Sequence, residues 1–154
     1  MAAETKLHRR IEDAEPDPVF YAAMGGDEML ALVLNAFYDR VFVDPVLAHF
    51  FADTDRETLK GKQFTFLKQR FTGERVYMGQ RPRNAHHRMV ISDEEFDYRA
   101  EVLRETLCAH GLLPEHVEKW MRVEEIFRRQ IVKTAPQPLF YRGTTITIVG
   151  EYAR

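Results

Sequence analysis

Only one cysteine, Cys108, occurs among the 154 residues, so the chain cannot form an internal disulfide. Such usage is typical of a protein from a reducing compartment. No stretch is long and uncharged enough to span a membrane, and the N-terminal MAAETKLHRRIEDAEPDP lacks the apolar run of a signal peptide. We therefore expect a cytoplasmic protein. Cys108 itself lies in a helical pattern, which predicts a small buried hydrophobic side chain.

Basic blocks and common catalytic motifs are missing as well. The 22 Lys and Arg nearly balance the 24 Asp and Glu, and no basic stripe could follow phosphates, so neither nucleic acid nor a membrane is an expected partner. Cys-x-x-Cys, His-Glu-x-x-His, Gly-x-Gly-x-x-Gly and Gly-x-Ser-x-Gly are all absent, which argues against zinc sites, dinucleotide sites and serine hydrolases. An apolar fraction of 45% is enough to fill the core of one domain.

Helical periodicity dominates the chain and predicts an all-α fold. A short helix over VFYAAM should end at Gly25 and Gly26, which let the chain reverse. In the following DEMLALVLNAFYDRVF, one face should be buried, because its apolar residues recur at helical spacing. Those residues are Leu30, Val33, Leu34, Phe37, Tyr38 and Val41.

Capping signals predict where the later helices begin. Thr54 with Glu57, and Ser92 with Glu95, each match a capping box, so helices should run from there to the Gly73 region and to about Ala109. Pro114 should open a further helix over PEHVEKWMRVEEIFRRQIVK. Residues 1–17 are expected to be a flexible leader, 18–134 one domain and 135–154 a C-terminal extension, where TTITIV has the β-branched composition of a strand.

Several polar residues fall where the patterns predict burial, namely Tyr38, Gln63 and one of the adjacent His86 and His87. Burying each without a partner would cost about 1–3 kcal/mol, so a shared polar guest is the economical explanation. Consecutive residues on a helix point about 100° apart. One histidine should therefore face inward and the other should face water.

Five motifs occur in a characteristic order: MGG, FYDRVFVDPVLAHFF, LKGKQFTFL, YMG and HHRMVISDEEFD. In this order and spacing, the chain from about residue 20 to 132 resembles the truncated (two-over-two) haemoglobins, most closely their first group. The resemblance needs no gap between Tyr38 and Leu103. It implies a globin-like, two-over-two helical sandwich over residues 18–134, with bound haem b as cofactor.

The resemblance also assigns roles to individual residues. His86 matches the proximal iron ligand, because Ile91 completes the family pattern His-x-x-x-x-Ile. Tyr38 and Gln63 match the distal residues that stabilise the bound gas, and their O–H and N–H groups are suitable donors. Further haem contacts are implied at Phe51, Leu59, Lys62 and Tyr77, where Leu59 replaces the distal histidine of ordinary globins and Lys62 reaches a propionate. With no histidine between His49 and His86, the sixth coordination position should be open.

Two departures from the family pattern stand out. Thr72-Gly73-Glu74 replaces the usual second glycine pair after the distal helix. Arg99 falls where relatives carry an apolar or tryptophan side chain that faces the haem. Three arrangements are open for it: the helix is rotated, the side chain reaches out to solvent, or the guanidinium lines the pocket and favours anionic ligands.

As a function, the resemblance implies reversible binding or transport of dioxygen, with nitric oxide and carbon monoxide as further ligands. It also implies conversion of nitric oxide to nitrate, an oxidoreductase activity. The chain has no flavin or nicotinamide motif, so that activity would need a separate reductase. A haem-based gas sensor or interaction module, which signals through PLFYRGTTITIVGEYAR, is an alternative, and a globin-like fold without haem is a third.

Overall fold

The structure is a computed structural model that describes residues 15–79, 89–132, 139–141 and 144–146. The predictions for His86 and His87 lie outside the described residues. Within them the chain is mostly helical, as predicted, and no helix is long and apolar enough to cross a membrane.

The first two helices follow each other across a glycine pair. Helix α1 (Pro18–Met24) begins at Asp17, whose side chain accepts a hydrogen bond of 3.0 Å from the backbone N–H of Phe20. Gly25, with φ of 126°, turns the chain directly into α2 (Gly26–Val41). The predicted apolar face of α2 is confirmed, since the buried residues are Leu30, Val33, Leu34, Phe37, Tyr38 and Val41.

Helix α3 (Arg56–Thr72) begins one residue later than predicted. Its N-cap is Asp55 rather than Thr54, because the Asp55 carboxylate accepts hydrogen bonds from both the backbone N–H and the hydroxyl of Thr58, at 2.9 and 2.6 Å. The N–H of Thr54 donates instead to the carbonyl of Phe51. A carboxylate at the positive end of a helix also interacts favourably with the helix dipole, which a hydroxyl cannot match.

Helix α4 (Asp93–Ala109) begins with the predicted capping box. The Ser92 hydroxyl accepts from the Glu95 N–H at 3.1 Å, and the Glu95 carboxylate accepts from the Ser92 N–H at 3.0 Å. The prediction that Cys108 is buried is wrong, since its side chain is exposed. It shares the outer face of α4 with Glu105, three residues earlier, which is exposed too.

The helix that begins at Pro114 is interrupted, contrary to prediction. Helix α5 (Pro114–Glu125) ends before Phe127, and a short α6 (Arg128–Ile131) follows. The break allows the ring of Phe127 to pack 5.3 Å from that of Phe66 on α3. It also turns Arg128 back toward the start of α4, where it forms ion pairs with Asp93 and Asp97.

The helices pack as two pairs, one across the other. Helix α2 packs against α3, α5 packs against α4, and α2 contacts α4 between the pairs. Trp120 and Phe71 are fully buried, and their rings meet edge-to-face at 5.3 Å. Phe20 of α1 meets Phe71 in the same manner at 5.5 Å. This arrangement is the predicted two-over-two helical sandwich.

Two short antiparallel strands pair with each other near the C-terminus. Strand β1 (Leu139–Tyr141) pairs with β2 (Thr144–Ile146), in a register that places Leu139 opposite Ile146. The strand chemistry of TTITIV therefore produces a strand, whereas nothing in the sequence pattern predicted its partner.

Candidate haem cavity

One cavity, with a volume of about 1080 Å³, lies between α2, α3, α4 and the end of α5. Its volume is slightly above the usual range for small-molecule sites, about 300–1,000 Å³. The structure brings together every predicted site residue that it describes, because the cavity is lined by Tyr38, Phe51, Leu59, Lys62, Gln63, Tyr77 and Arg99. The remaining one, His86, lies outside the described residues.

The chain on both sides of residues 80–88 reaches this cavity. Residues 76–79 line it on one side of that segment, and Met89 and Ile91 line it on the other. His86 belongs to the segment that joins these two ends. Among the described residues, no group of three or more His, Cys, Asp or Glu side chains is placed to hold a metal ion.

Tyr38 is the polar residue that α2 contributes to the cavity. Its side chain is buried, with the ring 5.0 Å from that of Phe37 and 6.2 Å from that of Phe51, edge-to-face in both cases. Burial raises the pKa of the phenol, and the positive charge of Arg99 only partly opposes this rise. The phenol therefore keeps its proton at neutral pH and is available as a donor.

Helix α3 presents one continuous face to the cavity. Leu59, Gln63 and Phe66 lie three or four residues apart, so they share that face, and each of them lines the cavity. Lys62 is exposed at its rim. The Gln63 amide makes no hydrogen bond to another described residue, which leaves its donors for a guest in the cavity.

The segment after α3 is held by Gln69. Its side-chain oxygen accepts hydrogen bonds of 3.0 Å from the backbone N–H groups of both Val76 and Tyr77. The Tyr77 ring then packs edge-to-face on Phe66 at 5.1 Å. A Cβ atom at Gly79 would clash with the Tyr77 hydroxyl, so Tyr77 can keep this position only beside a glycine.

Of the three arrangements open for Arg99, the structure has the one in which the guanidinium lines the cavity. Its Nη1 atom lies 3.1 Å from Oε2 of Glu124 on α5, and its guanidinium lies 5.1 Å from the centre of the Phe37 ring. Burial alone would lower the pKa of Arg99, but Glu124 and Tyr38 outweigh it and hold that pKa above its ordinary value.

Sequence reasoning missed Glu124, a buried carboxylate that also lines the cavity. Its second oxygen accepts a hydrogen bond of 3.1 Å from the indole N–H of Trp120, one helical turn earlier. Two signals could have revealed it. Arg99 on a cavity wall requires a counter-ion, and a buried tryptophan requires an acceptor for its N–H group.

The residues of the cavity suit a haem. Apolar rings and aliphatic side chains form most of the wall, as a macrocycle requires, and the amide of Gln63 and the buried phenol of Tyr38 both line it. Lys62 supplies a positive charge at the exposed rim, where a propionate would meet water. No described side chain fills the space between these groups.

The sequence is similar to those of known globins. The family model described as bacterial-like globin matches residues 19–133. The group 1 truncated haemoglobin GlbN of Mycolicibacterium paratuberculosis is 34% identical, over 74% of this chain and 83% of its own. GlbN of Synechocystis is 36% identical over 60% of this chain and 77% of its own.

Solved structures agree with these relatives. The truncated haemoglobin of Tetrahymena pyriformis in its Fe(III) form superposes with a TM-score of 0.69 at 27% identity, and the match covers 73% of this chain and 97% of that one. The 2/2 haemoglobin of Synechococcus, with covalently attached haem, also gives 0.69, at 26% identity and the same coverage of both chains. This chain therefore belongs to the bacterial-like globins and, within them, to the group 1 truncated haemoglobins.

Proposed function

We propose that this protein binds haem b and binds dioxygen reversibly at its ferrous iron. Membership of the truncated haemoglobins implies haem-based binding of a gas. The observation that carries the finer proposal is that the donors Tyr38 and Gln63 line the same cavity as the apolar walls. Ferrous haem coordinates diatomic gases, and the polarity of the distal pocket decides whether a bound gas is held, released or activated.

Each cavity residue has a distinct part in this proposal. Tyr38 and Gln63 donate hydrogen bonds to a gas molecule that has gained negative charge. Leu59 and Phe51 keep water away from it, because their side chains are apolar. Lys62 holds a propionate at the rim.

His86 is proposed as the proximal ligand. Support comes from the chain on either side of it, since Tyr77 and Gly79 before it and Met89 and Ile91 after it all line the cavity. His87 is one residue further along and would point about 100° away if this segment is helical. We propose that His87 has no part in binding iron.

The visible spectrum of the purified protein tests both assignments. We expect wild type and His87→Ala to bind haem and to give the ferrous–CO spectrum of a histidine-ligated globin, whereas His86→Ala should lose that spectrum. A colourless wild type after reconstitution with haem would overturn the proposed function. Normal ferrous–CO spectra in His86→Ala would overturn the ligand assignment.

Haem b is held without a covalent bond, unlike the haem in the structure of the Synechococcus protein. Extraction with acidified organic solvent tests this point. We expect the haem to leave the denatured chain completely. Colour that stays with the protein would mean covalent attachment.

Oxygen binding or transport and nitric oxide dioxygenation are two uses of the same site. The second proceeds as NO + O₂ + e⁻ → NO₃⁻, so each turnover needs one electron from outside. We propose a separate reductase as its source, because the chain has no flavin or nicotinamide motif. Mixing the oxygenated protein with nitric oxide should yield one nitrate per haem and ferric protein if dioxygenation occurs. The cytoplasmic location stays a prediction.

A gas sensor that signals through the C-terminal extension is a second candidate, and one contact favours it. Val132, the last described residue before the extension, forms an isolated parallel bridge with Ile91, which lines the cavity. If this candidate is right, deletion of residues 136–154 should change ligand kinetics or oligomeric state. Unchanged values for both would count against it.

A further inference from the structure

The wall of the cavity carries a guanidinium that haem binding and gas binding do not require. Arg99 has 28% of its side-chain surface accessible and lines the cavity. The guanidinium lies over the ring of Phe37, which is almost fully buried, so one of its faces is in apolar surroundings. A cation in such surroundings interacts with a nearby anion much more strongly than it would in water.

Glu124 neutralises Arg99 and is the less accessible partner of this ion pair. Only 11% of the Glu124 side chain is accessible. Its two carboxylate oxygens accept from different donors, Oε2 from Arg99 and Oε1 from the fully buried Trp120, each at 3.1 Å. The carboxylate is therefore fixed from two sides, and Arg99 is the more accessible partner of the ion pair.

The hydroxyl of Tyr38 completes this arrangement. The positive charge of Arg99 acts on this phenol, and both residues lie against Phe37, whose ring centre is 5.1 Å from the guanidinium and 5.0 Å from the centre of the Tyr38 ring. The phenol O–H is a donor that an anion in the cavity can meet. Tyr38 and Arg99 both line the cavity, so a guest there meets one O–H donor beside one cation.

We propose that Arg99 and Tyr38 form a recognition site for small inorganic anions, such as azide and nitrite, inside the haem cavity. The proposal rests on the proposed function, because these anions would be ligands of the ferric haem protein. Arg99 supplies charge and N–H donors, Tyr38 supplies its O–H, and Glu124 with Trp120 positions the guanidinium.

Azide binding to the ferric holoprotein tests this site, with imidazole as a neutral reference ligand at about pH 8. We expect Arg99→Met to weaken azide binding by about tenfold to a hundredfold, the range for a lost charge-assisted hydrogen bond. Imidazole binding should change by less than about threefold. Arg99→Lys keeps the charge but loses the planar guanidinium that lies over Phe37, so its affinity for azide should fall between those of wild type and Arg99→Met. Azide should also stabilise the wild type against heat more than it stabilises Arg99→Met.

Glu124→Gln gives a prediction of opposite sign. Glutamine keeps the shape and an acceptor oxygen but removes the negative charge, so azide should bind several-fold more tightly. If the ion pair had only a structural role, both Arg99→Met and Glu124→Gln would loosen the cavity. Glu124→Gln would then weaken azide binding. If Arg99→Met fails to fold because a lone carboxylate is left buried, the double variant with Glu124→Gln replaces it and should bind azide more weakly than Glu124→Gln alone.

Arg104→Met is the matched control. Arg104 lies on the same helix and forms an ion pair with Glu118 at the surface, so the variant removes an equal charge without touching the cavity. Equal azide affinity in Arg99→Met and Arg104→Met would overturn the anion site, as would a parallel loss of azide and imidazole binding. A protein that takes up no haem or fails to bind CO would overturn the proposed function itself.

Discussion

The hydroxyl of Tyr98 on α4 donates a hydrogen bond of 2.8 Å to the carboxylate of Asp44, in the turn that comes after α2. The other oxygen of the carboxylate accepts from the backbone N–H groups of Val46 and Leu47, at 2.8 and 3.1 Å. One buried side chain thus holds the turn in shape and joins it to the second helix pair.

Loss of this link should destabilise the fold. We expect Tyr98→Phe to lower the free energy of unfolding by about 1 kcal/mol, since one hydrogen bond is lost. Asp44→Ala should cost more, because two backbone N–H groups also lose their acceptor. Urea unfolding measures both, with Asp53→Asn as a control at an exposed carboxylate nearby. A larger loss in Tyr98→Phe than in Asp44→Ala would contradict this assignment.

The same carboxylate should make stability depend on pH. Burial alone would raise the pKa of Asp44, but the hydrogen bonds from Tyr98, Val46 and Leu47 outweigh it and leave that pKa below its ordinary value. The folded state therefore binds the proton less well than the unfolded state, so this stabilisation is present above about pH 4 and is lost as the pH falls further. The free energy of unfolding should fall less steeply between about pH 7 and pH 3 in Asp44→Asn than in wild type. Equal slopes would mean that Asp44 is not the group responsible.

Gln69 should control how tightly haem is retained, since it holds the segment that leads toward His86. Gln69→Leu removes the acceptor of two backbone N–H groups, whereas Gln69→Glu keeps an acceptor in the same place. We expect faster transfer of haem to a competing apoglobin from the leucine variant, by about tenfold if roughly 1–2 kcal/mol is lost, and a smaller effect in the glutamate variant. Equal rates in all three proteins would refute the link.

Tyr38 and Gln63 should act on dioxygen more than on carbon monoxide. Dioxygen gains negative charge when it coordinates and carbon monoxide gains little, so hydrogen-bond donors hold the first selectively. We expect Tyr38→Phe and Gln63→Leu each to speed dioxygen release by about tenfold or more. Stopped-flow release rates for the two gases provide the comparison. Equal acceleration for both gases would indicate a change of cavity shape instead.

Local signals predicted the local parts of this structure. The apolar stripe of α2 and the capping box at Ser92 depend on neighbours in sequence, and both are confirmed. The motif order located the cavity residues, because the family resemblance carries tertiary information that periodicity lacks. Glu124 and the break after α5 were missed, since each depends on a partner brought close only by folding: Arg99 in one case and Phe66 in the other.

The junction between α1 and α2 cannot accept an inserted residue. Met24 ends one helix and Gly26 begins the next, so two backbone dihedrals at Gly25 alone set the direction of α1. A Cβ there would lie 2.5 Å from that of Met29, so this joint admits no side chain. An inserted residue would rotate Phe20 away from Phe71 by about a quarter turn or more. No loop residues separate the two helices, so the connection cannot compensate for this rotation.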